Sequence, residues 1–185
     1  MEDSDGRLRA HLNCTKVLNA LLRSSKAIRN VSSILDDSYK IECVHCEENV
    51  RGGFDPAAKR VLVCENRLRS AAAQSRTLLH ELIHAYDDST KHTNWSDPHE
   101  LACSEVRAAM FSGECDLESE LRRYPVSRWP EMLRARWNDG IETCVRRRSA
   151  LSVSLAQTCD RKRADEIVDE VFSRCVQDAR PFETE

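Results

Sequence analysis

Nine cysteines run through this chain, at Cys14, Cys43, Cys46, Cys64, Cys103, Cys115, Cys144, Cys159 and Cys175. They constrain the fold more than any other feature, because a thiol must be buried, bound to a metal or bridged. A zinc ribbon needs two matched CxxC pairs, and only Cys43-Val44-His45-Cys46 is present. Disulfides are therefore the expectation, with one thiol left over; a zinc knuckle using Cys64 and free buried thiols are the alternatives. Spacing alone does not assign the pairing. Only 3 Trp, 3 Tyr and 4 Phe supply bulk to the core, so bridges would carry a large share of the stability.

The 185 residues suit one domain, 1–185, with residues 1–9 polar and expected to be disordered. Gly and Pro number 5 each, too few for a turn-dense β sandwich, so helix should dominate. A net charge of −3 gives no electrostatic case for nucleic-acid binding, and no apolar run reaches the ~18–20 residues that span a bilayer. The opening MEDSDGRLRA is acidic and has no apolar h-region, so no secretory signal or Arg-rich transit peptide is expected there. Disulfides without such a signal fit the mitochondrial intermembrane space.

Helical periodicity covers residues 11–34, 70–88, 98–111, 144–155 and 164–176. Residues 39–43 alternate like a strand, and residues 49–65 read as a hairpin turning over Asp55 to Ala58. Gly52-Gly53 in its first arm predicts a bulge or a close backbone approach. Residues 117–143 mix Arg, Trp and Pro; a solvated helical face is expected there, a partner surface being the alternative. The fold class is α+β: a mainly helical domain with a small antiparallel sheet or hairpin.

His80-Glu81-Leu82-Ile83-His84 lies inside the second of these helices. At about 100° per residue, His84 falls about 40° and Glu81 about 100° from His80. Leu78, Leu79, Leu82, Ile83, Ala85 and Tyr86 occupy about 140–300°, so the polar trio shares one sector and the apolar anchor the other. Two imidazoles one turn apart grip one Zn²⁺ and leave an open position for water, whose proton the adjacent Glu81 takes. A third ligand is needed. The spacing HExxHxxGxxH fails because Thr90 stands where its last His belongs; His92 reads as a loop residue. Glu105 and His99 are the candidates, and Glu105 is preferred because Ala102, Ala108 and Ala109 let its helix pack closely. Asp87 falls beside both histidines on the wheel, where it could orient a ring N–H.

The stretches HELIHAYD, HELACSEVRAAMFSGEC, CVRRRSALSVS and VDEVFSRCVQDARPF resemble a family of mitochondrial inner-membrane zinc metalloproteases that process and assemble ATP synthase. Its animal members are also described as Ku-binding. CVHCEENVRGGFD and VLVCEN are similar to its cysteine-bearing hairpin, so the resemblance spans roughly residues 14–182. It implies a zincin-like HExxH fold with His80, His84 and Glu105 on one catalytic Zn²⁺ and Glu81 as base. Relatives carry a His where Glu100 stands here, with His99 one place earlier; this favours Glu105. The implied protein is peripheral on the intermembrane-space side of the inner membrane. It would remove the N-terminal prosequence of the mitochondrially encoded proton-channel subunit of ATP synthase and help that subunit assemble, an extended substrate adding along the hairpin edge. A non-proteolytic assembly chaperone on the same scaffold is the alternative, and the intact HExxH favours the protease. A nuclear DNA-repair role would rest on the Ku-binding description alone; nothing in the composition supports it.

Overall fold

Ser25 separates the first two helices. Its hydroxyl accepts from the Ile28 N–H at 3.4 Å, ending α1 (Glu2–Ser24) and capping α2 (Lys26–Ser32). The structure is a computed structural model that describes residues 2–47, 50–67, 70–122, 137–156 and 159–182. α1 runs through most of the stretch expected to be disordered. An i,i+4 pair between Asp5 and Arg9 at 2.8 Å supports that first part, with the acid toward the N-terminus as the helix dipole prefers. The chain divides into two compact units, Met1–His92 with Pro181–Glu185 and Thr93–Arg180.

In the first unit, β1 (Lys40–Val44), β2 (Gly52–Asp55) and β3 (Arg60–Cys64) form a sheet of order β1-β3-β2. The hairpin is present: β2 pairs antiparallel to β3, with Phe54 opposite Val61. Asp55 tightens its turn by accepting from the Ala58 N–H at 3.0 Å, and Lys59 takes the left-handed region at φ 50°. The sheet is mixed rather than wholly antiparallel, because β1 joins β3 in parallel, Lys40 opposite Arg60. Alternation assigns a strand's faces and not its partner, so the parallel pairing had no local signal. Val61 and Val63 are fully buried, and α3 (Ala71–Lys91) packs on β2 and β3. Disulfides Cys14–Cys43 and Cys46–Cys64 tie α1 to β1 and the segment after β1 to the end of β3.

The second unit is helical: α4 (Pro98–Phe111), α5 (Leu117–Leu121), α6 (Trp137–Ala156) and α7 (Arg161–Val176). Ala102, Val106 and Ala109 of α4 meet Val145, Ala150 and Val153 of α6 and Ile167, Val168, Val171 and Phe172 of α7 in one core. Alanines at the crossings let the helix axes approach, which is how a chain with ten aromatics packs tightly. Arg107 is fully buried; its Nε donates to the Asp178 carbonyl at 3.0 Å and its Nη2 to the Arg180 carbonyl, so two orphan carbonyls past α7 are satisfied. Cys103–Cys175 joins α4 to α7, and Cys115–Cys144 joins the turn after α4 to α6. Cys159 is the spare thiol. Most of the 117–143 stretch, the one weighed as a partner surface, lies outside the described residues.

Candidate metal centre

The helix bearing the HExxH motif starts where local chemistry dictates. The Ser70 hydroxyl accepts from the Ala73 N–H at 3.1 Å, and the helix then runs unbroken to Lys91. It ends later than Asp88 because His92 supplies the left-handed cap, φ 52° and ψ 47°, in place of the usual Gly. Leu78, Leu82, Ile83 and Ala85 are completely buried and anchor the helix on the sheet. That anchoring holds His80 and His84 one turn apart, ring centroids 4.8 Å, in an edge-to-face arrangement. Both rings are withdrawn from solvent, His80 at 9% and His84 at 5% exposure, while Glu81 between them is partly exposed.

Two imidazoles on one rigid turn suit Zn²⁺, which takes nitrogen donors and tolerates a site completed by a carboxylate oxygen. A carboxylate beside them that stays partly open to water suits a base, which must reach both solvent and substrate. The Asp87 carboxylate, expected next to the rings, is 2% exposed and its Oδ1 takes the Lys91 ammonium at 3.1 Å. Farther along, the Tyr39 O–H donates to Asp88 Oδ2 at 2.7 Å, fastening the approach to β1 onto α3; burial first, then the Asp88 carboxylate, pushes the Tyr39 hydroxyl well above its usual value.

The candidates for a third ligand sit on α4, in the second unit. Asp97 caps this helix, accepting from the His99 N–H at 2.7 Å and the Glu100 N–H at 3.3 Å; those two donors hold its carboxyl below the usual carboxylate range. His99 lies in the first turn with its ring over a third exposed, its Nε2 2.8 Å from Glu170 and its Nδ1 3.6 Å from Asp97. A carboxylate of its own unit thus engages Nε2. Glu105, two turns on, is 8% exposed among Ala102, Ser104, Ala108 and Ala109. A carboxylate so deeply withdrawn from water costs free energy unless positive charge compensates it. His92 is exposed at the end of α3. Thr77 was not singled out from sequence; it is a buried polar residue one turn before Glu81, facing Gly52 of β2.

With this geometry in place, the sequence matches the Peptidase M76 family over residues 7–183. It is 34% identical over 189 residues to the mitochondrial inner membrane protease atp23 of Schizosaccharomyces pombe, covering 98% of this chain and 97% of that protein. It is 35% identical over 157 residues to the mitochondrial inner membrane protease ATP23 homolog of Homo sapiens, covering 84% of this chain and 60% of the human one. The Eremothecium gossypii protease ATP23 is 40% identical over 148 residues, covering 80% and 57%. The chain thus spans nearly all of the first relative and under two thirds of the other two. No solved structure matches it.

Proposed function

This chain belongs to the Peptidase M76 family and is a metalloprotease, and from that premise we propose that it is a zinc endopeptidase of the mitochondrial intermembrane space. Its substrate is the precursor of the mitochondrially encoded proton-channel subunit of ATP synthase, from which it removes the N-terminal prosequence. It also assists assembly of that enzyme, and residues 1–185 act as one metalloprotease domain. The observation that carries the reading is the withdrawn pair His80 and His84 on one turn of α3, with Glu81 left partly open between them.

On this reading His80, His84 and Glu105 would hold the ion; two imidazole nitrogens and one carboxylate oxygen make the donor set of a catalytic zinc. The chemistry that Zn²⁺ would supply there is Lewis acidity, which polarises a carbonyl and lowers the pKa of water toward neutral pH. Glu81 accepts the proton of the attacking water and returns it to the leaving amine, changing from base to acid within one turnover. β2 stands at the outer edge of the sheet, so an extended substrate can add along it through main-chain hydrogen bonds. Four disulfides suit an oxidising compartment. No described helix is long and apolar enough to cross a membrane, in keeping with a peripheral position on the inner membrane.

The test is Glu81→Gln, which keeps the shape of the side chain and removes its basicity. Cleavage of the precursor should fall about 10²–10⁴-fold, with zinc content and melting temperature unchanged and assembly still supported. Cleavage near the wild-type rate would remove Glu81 from the role assigned to it.

A further inference from the structure

We propose that Gly52 is a positioning residue for peptide cleavage, its missing side chain seating β2 against α3 at the stem of Glu81. The inference rests on Glu81 acting as the base, as set out above. A Cβ on Gly52 would lie 2.6 Å from Thr77 Cγ2, 2.7 Å from the Leu62 carbonyl oxygen and 3.3 Å from Glu81 Cγ. The first two distances are far inside van der Waals contact. Neither neighbour can yield. Thr77 is β-branched, 5% exposed and one turn before Glu81 on α3, so close packing leaves its Cγ2 little room to turn away. Leu62 belongs to β3, the central strand, which is paired on both sides.

The adjacent Gly53 has nothing within 4 Å of the equivalent position. The demand for glycine is thus specific to residue 52 and is not a general looseness of the strand. With Gly52 in place, the edge strand rests on the same helical turn that presents the base. Any side chain there must shift β2 away from both Thr77 and the Leu62 carbonyl, by up to about 1 Å, to restore ordinary contact, moving the edge strand relative to Glu81. A substrate held along β2 would still be gripped by its main chain, but its scissile carbonyl would be out of reach of the base. Misplacement by about 1 Å costs on the order of 100-fold in rate. Because the grip is uniform in ground and transition states, the loss should fall on kcat and leave KM little changed.

The experiment uses the full chain loaded with zinc and a peptide spanning the precursor's cleavage junction. Gly52→Ala, Thr77→Ser, the double variant and Glu81→Gln are compared, each assayed well below its melting temperature. Gly52→Ala should lower kcat about 30- to 100-fold, with KM within about threefold and zinc content unchanged. Thr77→Ser removes the Cγ2 that an alanine would strike but leaves the Leu62 carbonyl in place, so the double variant should regain only part of that loss, about threefold, which simple destabilisation does not predict. If Gly52→Ala fails to fold, Thr77→Ala gives the second measurement: it leaves a slack seat beneath β2 and should lower kcat at least fivefold at unchanged KM. Gly52→Ala cleaving at the wild-type rate while Glu81→Gln is inactive overturns the role of Gly52 and spares that of Glu81. A loss borne by KM alone, an absent rescue, or an unaltered kcat in Thr77→Ala overturns it equally. An active Glu81→Gln overturns the reading of the base instead.

Discussion

Replacing Cys103 and Cys175 together by Ala tests how far this fold depends on oxidation. The bridge joins α4 to α7 across a sequence separation of 72 residues, the longest loop closed by any of the four. Restricting an unfolded loop of that length stabilises the native state by about 4 kcal/mol at 25 °C, on the chain-entropy account. Cys46–Cys64 spans 18 residues, for which the same relation gives about 3 kcal/mol; Cys14–Cys43 and Cys115–Cys144, at 29 each, fall between. Total stability for such a domain is about 5–15 kcal/mol, so the variant should fold but with much of its margin gone. At about 2–4 °C per kcal/mol, its melting temperature should drop by about 8–16 °C. Thermal melts followed by circular dichroism, with thiol counts by mass spectrometry of alkylated protein, read this directly. Cys159→Ser should melt like the wild type, since that thiol closes no loop. Cys103 also lies two residues before Glu105, so loosening α4 should weaken zinc retention as well. A shift below about 2 °C, or a larger loss on removing Cys46–Cys64 than on removing Cys103–Cys175, would refute the loop-entropy argument.

Two further outcomes are expected. In a chelator titration, Glu105→Ala should give up zinc as readily as His80→Ala, whereas His99→Ala should keep it; the reverse ranking would make the site a three-histidine one. Asp97→Ala should lower the melting temperature at pH 7, because the carboxylate that caps α4 is lost. Its folded carboxyl lies below 3.8, so the stabilisation is present above that pH and fades as pH falls through the lowered value. The two melting curves should therefore converge in strong acid, and a gap that persists there would locate the effect elsewhere.

Several features of this protein follow from short stretches of chain. α4 begins at Pro98 and ends at Phe111, as its sequence predicts, because a capping Asp97, a first-turn proline and Ser112-Gly113 act within one helical turn. The grouping of His80, Glu81 and His84 on α3 likewise follows from the helix period, and the hairpin from its alternation and turn. The presence of disulfides was also legible, from the number of cysteines in a chain poor in aromatic bulk. Which cysteine met which was not, since pairing depends on where helices and strands far apart in sequence come to rest. The parallel pairing of β1 with β3 has the same origin: it joins strands separated by the whole of β2. Gly52 shows the division most clearly. Two adjacent glycines in a strand announce a close approach, but sequence treats residues 52 and 53 alike. Only the packed structure sets one of them against Thr77 and Glu81 and leaves the other with open space, because close contact is a relation between elements and not a property of either one.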